Sequence, residues 1–524
     1  MIMRATTMNK FPNRGCGFQP QSFRTVRGCG FQPQSLRTNR NDGFQPLNHT
    51  TRSDGFRPSQ SPMKNLSHNI SKPTHSKDCG WKPQPRLRQL LAILIAFTIL
   101  SASTFAQNPA QPPSGPIALT DANIFPVSRE PIEAGTLLIE DGKIKAIGKD
   151  IAIPEGTKTI SLEGKSIYPG FIESHSQLGL TEFAAVKATN YFREPGDINP
   201  NVKALVSINM ENVILPVTRS GGVLVALSAP SGGMISGRSA IVQLEGWTYE
   251  DMAIKPVTTM QVNWPLQSIP PGLAARLKKD KLKEEKEEIE EHKEELMKFF
   301  AMAKAYHEGR SQTENRPAFD SRLEAMRDVI AGKVPMMVRA DRAAEIRDAV
   351  AFAVKEKLKI IIIGGYDAQQ CAELLKEHDV PVIVSATHRL PLRRDDRHDA
   401  SYTLPARLKA AGVKYCISST DRSETWNTRN LPFHAASAQA YGLDPNEALR
   451  SITLSAAEIL GIDDRVGSLE VGKDATLIVT SGDPLEAVST IDRAWITGRE
   501  IDLTNHQIKL YEKYKDKYER QKQE

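Results

Sequence analysis

The residues best suited to chemistry stand where an apolar stretch of the chain ends. Residues 167–172 are mainly apolar, and Glu173 and His175 follow them directly. A carboxylate and a neutral imidazole can bind a divalent metal or exchange protons with a substrate. A short apolar run that stops abruptly is typical of a buried strand. The sequence therefore predicts a candidate site at the end of a strand.

Strands and helices that could position these groups alternate from residue 166 onward. Alternation of this kind predicts a parallel sheet with connecting helices, and it fits a (β/α)8 barrel. In that fold the functional side chains stand at the C-terminal ends of the strands. The candidate buried strands are 223–227, 334–338, 360–363, 380–384 and 413–417, and amphipathic helices are predicted at 343–356 and 368–377.

A small antiparallel β unit is predicted before the barrel. Residues 136–139 and 143–147 read as two short strands, and Asp141-Gly142 between them is typical of a hairpin turn.

Further along, 276–307 is a long charged segment whose apolar residues recur only once every seven positions. A coiled coil needs two apolar positions per heptad. We therefore expect a solvated helix inserted into the barrel, and a partner-binding helix is the alternative.

The closing part of the chain carries a recognisable pattern. Residues 446–450 read Asn-Glu-Ala-Leu-Arg, 453–457 read Thr-Leu-Ser-Ala-Ala, and 467–478 read Gly-Ser-Leu-Glu-Val-Gly-Lys-Asp-Ala-Thr-Leu-Ile. Together with 167–177, these segments resemble the exported, imidazolonepropionase-like branch of the amidohydrolases, over roughly residues 117–503. The resemblance implies an α/β fold, a (β/α)8 TIM-like barrel with a small β-sandwich domain built from both of its flanks.

The resemblance also implies a division of the chain and a chemistry. Amidohydrolases hydrolyse non-peptide C–N bonds, often in cyclic amides, with a zinc-bound water as nucleophile and a strand 8 aspartate that moves the proton. The expected segments are a basic low-complexity leader (1–80), a signal peptide (81–106), a Pro-rich spacer (107–116), a β-sandwich in two parts (117–168 and 466–505), the barrel (169–465) and a charged helical tail (506–524).

Several positions that hold metal ligands in the family are substituted on strands 1 and 5. Strand 1 of the family ends in Asp-x-His-x-His, and here the two histidine positions hold His175 and Gln177. Strand 5 of many relatives carries Val-His-Ala-His, whereas residues 338–341 read Val-Arg-Ala-Asp. Glutamine is a poor substitute for imidazole at a transition-metal site, and arginine stays protonated and cannot bind a cation.

Strands 6 and 8 complete the comparison of ligand positions. Where relatives carry Glu-His-Gly on strand 6, Gly364 stands at the histidine position. Strand 8 of relatives ends in Thr-Asp or Ser-Asp, and Asp421 matches that aspartate with a register uncertain by one residue. At most two family ligands remain, His175 and Asp421. The family implies zinc, but this ligand set predicts that zinc is not tightly bound.

Arg339 suggests a physical substitute for the metal. Its fixed charge would stand where the ion's charge should be, with Glu173, Asp341 and Asp421 as bidentate partners in a salt-bridge cluster. The alternative is that Arg339 points to solvent. Two function classes remain open: a catalytically inactive binding protein that uses the barrel mouth, and a divergent hydrolase that relies on His175 and Asp421 with an unusual metal or none.

Two loops are candidates for contacts with a small-molecule ligand. Arg393 and Arg394 follow strand 7 and could contact an anion, although a solvated charged loop explains them equally well. Gly232 and Gly233 follow an earlier strand and could form a ligand-cradling loop. His434 opens a helix beyond strand 8, and we expect it to be a buried helix residue rather than a catalyst.

The formal charge of +6 hides two unlike parts. Residues 1–106 hold 15 Lys and Arg against 3 Asp and Glu, a net charge of +12, whereas the remainder holds 53 against 59, a net of −6. The body is mildly acidic, which gives no support for nucleic-acid binding. Only Cys371 and Cys416 lie in the body, and their apolar surroundings predict buried thiols. The sequence leaves the oligomeric state open.

The basic part reads as an export signal behind a leader. Arg86 and Arg88 precede an apolar run at 90–100, and small residues lead to a cleavage site after Ala106. The run is too short to span a bilayer, so we expect an exported, periplasmic or extracellular protein without a stable span after cleavage; an uncleaved anchor is the alternative. The leader repeats Gly-Phe-Gln-Pro with a period of 13 residues. Either translation starts later, for instance at Met63, or the leader is disordered.

Overall fold

The computed structural model describes residues 108–269, 271–419 and 425–523 of the chain. The leader repeats and the predicted signal peptide lie outside these ranges. The strands are β1 (Ile117–Ile124), β2 (Ile132–Glu140), β3 (Lys143–Gly148), β4 (Lys158–Ser161), β5 (Ser166–Pro169), β6 (Phe171–Ser176), β7 (Val223–Ser228), β8 (Ile235–Arg238), β9 (Ala240–Gln243), β10 (Ala253–Lys255), β11 (Met260–Asn263), β12 (Met336–Ala340), β13 (Ile360–Gly364), β14 (Val382–Ser385), β15 (Tyr415–Ser418), β16 (Leu477–Thr480), β17 (Ile491–Ile496) and β18 (Arg499–Glu500).

The helices lie mainly between the later strands. Short 3₁₀ turns cover Lys187–Thr189, Leu205–Ser207, Ala368–Cys371 and Thr425–Asn430. The α-helices are α1 (Ile214–Arg219), α2 (Tyr249–Met252), α3 (Pro271–Ala274), α4 (Lys279–Arg310), α5 (Ser321–Ile330), α6 (Ala343–Glu356), α7 (Ala372–Glu377), α8 (Ala400–Ala410), α9 (Leu431–Ala440), α10 (Pro445–Ser451), α11 (Leu454–Leu460) and α12 (His506–Gln523).

Parallel strands connected by helices form the barrel. β6 pairs with β7, and β11 to β15 form one continuous parallel ladder. Between β7 and β11 the pairing is antiparallel instead, because β9 pairs with β7 and β8 pairs with β11. A hydrogen bond of 3.1 Å from Ser418 Oγ to the His175 carbonyl joins β15 to β6. The predicted fold class is confirmed, with this antiparallel insertion at its third strand position.

The barrel strands are buried on both faces, and this explains why they read as continuous apolar runs. Every residue of β7 and β13 is buried. Alternate side chains point inward and fill the barrel, so the floor beneath the strand ends is apolar. The inward set includes Ile172, Val225, Met337, Ile361, Ile363, Ile383 and Cys416.

The β domain is a composite sheet from both flanks of the barrel. β1, β2, β3 and β5 precede the barrel, and β16 to β18 follow it, with β16 pairing antiparallel to β5. The predicted hairpin is confirmed, since Asp141 and Gly142 join β2 to β3 with φ of 51° and 77°. β5 leads into β6 through Gly170, where a Cβ would lie 2.7 Å from Leu224. This close approach fixes the direction in which β6 enters the barrel.

The inserted helix is only partly solvated. α4 extends to Arg310, and its last turns bury Leu296, Phe299 and Phe300. Only the first half therefore fits the expected solvated helix. Both body cysteines, Cys371 and Cys416, are buried thiols, as predicted. In the described ranges, no helix combines the length and apolar character that a bilayer crossing requires.

Candidate functional site

Glu173 stands on β6 with a fully buried side chain. Its Oε1 accepts hydrogen bonds from Ser418 Oγ at 2.6 Å and from the backbone N–H of His175 at 3.1 Å. Its Oε2 accepts from the backbone N–H of Ser419 at 3.0 Å and from that residue's hydroxyl. Burial raises the pKa of this carboxyl, although the four donors oppose the rise. Glu173 therefore ties β6 to β15 at the mouth of the barrel.

His175 lies near the positively charged side chain of Arg339. Its side chain is 4 % exposed, and burial together with the charge of Arg339 lowers the pKa of the imidazole to about 3. Gln261 on β11 makes a hydrogen bond with the same ring. Arg339 shares a strand face with Met337, which lies inside the barrel. The imidazole is consequently neutral at physiological pH.

Asp341 is paired with a different arginine from the one predicted. Arg389 Nη2 donates to Asp341 Oδ1 at 2.9 Å, and the backbone N–H of Tyr366 donates to the same oxygen at 3.3 Å. The guanidinium of Arg389 also lies 4.9 Å from the centre of the Tyr366 ring. Arg389 reaches this position because the segment after β14 folds back over the ends of β12 and β13.

These contacts correct the predicted salt-bridge cluster for Glu173 and Asp341 only. Glu173 is held by serine donors and Asp341 by Arg389, so neither carboxylate is the partner of Arg339. The third expected partner, Asp421, lies outside the described residues. The charge of Arg339 also acts on the neutral ring of His175.

Two buried polar atoms remain available at the same end of the barrel. Gln177 is 2 % exposed, and its Nε2 donates to Ser231 Oγ at 2.8 Å. Within the part of the chain that the structure describes, Gln177 Oε1 and Ser385 Oγ have no hydrogen-bond partner. Ser385 ends β14 on the same face as the inward Ile383. The mouth thus contains one acceptor and one hydroxyl whose hydrogen-bonding capacity the described residues leave unused.

Known proteins that are similar to this chain in sequence and in structure include several amidohydrolases. The Amidohydrolase family model matches residues 283–498. An imidazolonepropionase from Symbiobacterium thermophilum is 23% identical over 399 residues, covering 67% of this chain and 84% of that protein. An imidazolonepropionase from Fusobacterium nucleatum is 23% identical over 376 residues, covering 66% and 84%. The crystal structure of an amidohydrolase from Thermotoga maritima superposes with a TM-score of 0.64 at 24% identity, covering 74% of this chain and 99% of that one.

The chain belongs to the amidohydrolase superfamily. Members of this superfamily bind small-molecule substrates at the barrel mouth, which is where the groups described above converge. The family implies zinc, and the donors present can be tested against that metal.

The described donors do not fit a zinc site in this superfamily member. Across residues 108–269, 271–419 and 425–523, no three His, Cys, Asp or Glu side chains stand close enough together to hold a metal. A Cβ at Gly364 would lie 2.9 Å from Asp341 Oδ1, so the aspartate fills the space of the missing ligand. Both Glu173 oxygens already accept hydrogen bonds. A zinc ion beside Arg339 would also meet the positive charge of its guanidinium.

The predicted ligand-binding glycines accommodate the protein's own chain, a side chain at Gly232 and the backbone at Gly233. A Cβ at Gly232 would lie 2.8 Å from Arg193 Nε, and a Cβ at Gly233 would lie 2.6 Å from the Asp197 carbonyl oxygen. Met234 N–H also donates to that oxygen at 2.7 Å. The glycines therefore allow the preceding loop to cross the strand end, and the expected cradle is occupied by that loop.

The remaining candidates lie around the mouth. Arg393 is held by Asp367 and by Asp396, whereas Arg394 is exposed. His434 is buried, as expected, and its Nδ1 lies 3.1 Å from the hydroxyl of Thr387. Burial lowers the pKa of its imidazole to about 3.

Sequence reasoning missed two residues of the mouth, Gln261 and Ser385. Both stand on barrel strands of only four residues, and a four-residue strand gives little periodicity to read. The available signal was a polar residue inside a short apolar run. It becomes informative only when the strand face is known.

Proposed function

We propose that this amidohydrolase-superfamily protein binds a small amide-containing molecule at the barrel mouth and does so without a tightly bound metal. The support is that Arg339, on the inward face of β12, lies near enough to His175, the one histidine retained from the family's ligand set, for its charge to add to the burial that lowers the pKa of the imidazole. The positive charge that an ion contributes in the family is supplied here by the chain. This charge would repel a divalent ion and would polarise a ligand carbonyl.

The type of ligand follows from the unsatisfied groups. Gln177 Oε1 can accept a hydrogen bond from an amide N–H, and Ser385 Oγ can donate one to a carbonyl. An unpaired buried polar atom costs free energy that a matching ligand recovers. Cyclic amides, the substrates typical of the family, carry both complementary groups.

The alternative is a divergent hydrolase that uses His175 and Asp421. A general base works best when its pKa lies near the operating pH. With a pKa of about 3, the His175 imidazole is a weak proton acceptor at neutral pH. This argument favours binding over turnover.

The first experiment is elemental mass spectrometry on residues 107–524, purified without chelator and after incubation with zinc. We expect far less than one zinc per chain in both samples. About one zinc per chain would overturn the metal-free proposal.

The second experiment separates binding from catalysis. Calorimetric titration with hydantoin, a simple cyclic amide, should show binding that weakens in Gln177→Met and persists in the exposed control Arg394→Gln. Turnover of cyclic amides or dipeptides by metal-free protein, lost in His175→Asn, would favour the divergent hydrolase instead.

We also propose that the chain is exported. The support is the basic, apolar and small-residue succession at 86–106, which precedes the described part of the chain. N-terminal sequencing of the native protein should begin at Gln107. Recovery of peptides from upstream of Met63 would contradict both the cleavage and the late translation start.

A further inference from the structure

A second hollow lies beside the mouth and is lined by different residues. It has a volume of about 600 Å³, which is large enough for a small ligand. Its walls are the segment after β13, the loop that follows β14, helix α8 and the turn after α9. The charged residues on these walls are Asp367, Arg393, Asp395, Asp396, Arg397 and Arg407.

Most of these charges are already neutralised within the protein. Arg393 is held by Asp367 and Asp396. Arg397 makes two hydrogen bonds to Asp399, at 2.8 Å and 2.7 Å. The Arg393 group keeps one net negative charge, and Arg407 and Asp395 are the two lining charges that have no ion-pair partner among the described residues.

Arg407 is the remaining cation. Its Nη2 donates to the Ala400 carbonyl at 2.8 Å, and its Nη1 lies 3.5 Å from Gln369 Oε1. Its buried Nε has no hydrogen-bond partner in the described ranges, and no carboxylate there forms an ion pair with it. A ligand carboxylate in the hollow would therefore gain an ion pair with the guanidinium of Arg407, whereas the buried Nε stays out of its reach.

Asp395 is the remaining anion. It is exposed on the loop after β14, and the described part of the chain gives it no basic partner. With three arginines and three aspartates, the lining is neutral overall. A dianion such as phosphate would gain from Arg407 but would face three carboxylates. A molecule carrying one charge of each sign suits this lining better.

We infer that the hollow binds a zwitterion of the amino acid or dipeptide class, with its carboxylate on Arg407 and its ammonium on Asp395. Ala406, Ala410 and the ring of Tyr441 line the same hollow and offer apolar contact to a side chain. The lining includes none of His175, Gln177, Arg339 and Ser385, so this inference does not rest on the function proposed above.

The test is calorimetric titration of the protein with leucine and with glycyl-leucine. Each is compared with its primary amide, which lacks the carboxylate, and with its N-acetyl form, which lacks the ammonium. At least one zwitterion should bind, and both blocked forms should bind about tenfold more weakly or worse. Inorganic phosphate should bind no better than the blocked forms.

Variants assign the two ends of the ligand. Arg407→Gln should bind the zwitterion and its amide equally, and Asp395→Asn should bind the zwitterion and its N-acetyl form equally. Lys409→Gln, at an exposed position of α8 outside the lining, should behave as wild type. Arg407→Lys replaces the first variant if Arg407→Gln does not fold. The inference is overturned if neither zwitterion binds at about 10 mM, if the N-acetyl form binds as tightly, or if phosphate binds through Arg407.

Discussion

Replacing His175 by asparagine should make the protein less sensitive to acid. In the folded state burial, reinforced by the charge of Arg339, lowers the pKa of this imidazole from 6.5 to about 3. Below pH 6.5 the unfolded chain takes up a proton that the folded chain refuses until about pH 3. Stability is therefore lost as the pH falls through this window, and it is fully present above it.

The size of the effect follows from the two pKa values. One pKa unit corresponds to about 1.4 kcal/mol, so lowering the pH from 7 to 4 costs the wild type about 3 kcal/mol through His175 alone. His175→Asn removes this contribution and keeps an amide near Gln261. Relative to the wild type, the variant should gain about 3 kcal/mol of unfolding free energy between pH 7 and pH 4.

The assay is urea unfolding at the two pH values, followed by intrinsic tryptophan fluorescence, to which the buried Trp264 and Trp495 contribute. We compare the change in unfolding free energy between pH 7 and pH 4 in the two proteins. This comparison cancels the contribution of the carboxylates that titrate in both proteins. His506→Asn, at an exposed position on α12, is the matched control and should follow the wild type. If His175→Asn loses as much stability on acidification as the wild type, the imidazole is not held neutral and the reasoning about the mouth fails.

Two further outcomes test the same site. Arg339→Met should raise the pKa of His175 above about 3 but leave it below 6.5, because burial is the larger cause of the lowered pKa. An NMR titration that follows the histidine ring signals measures this pKa. Arg389→Met is the control and should leave the pKa of His175 unchanged. Gly364→Ala should lower the melting temperature more than Gly472→Ala. Both glycines have positive φ, of 105° and 92°, but only at Gly364 would the new Cβ meet a side chain, at 2.9 Å. Equal decreases in melting temperature for the two variants would contradict the proposed crowding.

The barrel could be predicted from the sequence because its parallel strands are buried on both faces. The run at 360–363, for example, became β13 with only one residue added. β8 and β9 were not predicted. Each has four residues, and β8 includes Gly237 at a φ of 126°, which interrupts any alternation. Their pairing is set by β7 and β11 rather than by their own sequence.

The site shows a different limit. Sequence positions revealed which family ligands were substituted, but they gave the wrong partners for the charges. Glu173 is held by serines about 245 positions away, and Asp341 by an arginine 48 positions away. Partners this distant become known only when the strand order and the path of each loop are known. Burial, which decides the protonation of His175, likewise depends on the whole barrel.

The substitutions at the mouth form one mutually dependent arrangement. Gly364 leaves the space that the Asp341 carboxylate fills, and Arg389 holds that carboxylate at 2.9 Å. Arg339 supplies charge beside the retained histidine, and Gln177 is fixed by its own hydrogen bond. Restoring a histidine at any one of these positions would therefore leave the others unfavourable to a metal. A histidine at 364 in particular cannot enter until Asp341 moves, and moving Asp341 breaks its ion pair of 2.9 Å with the nearly buried Arg389.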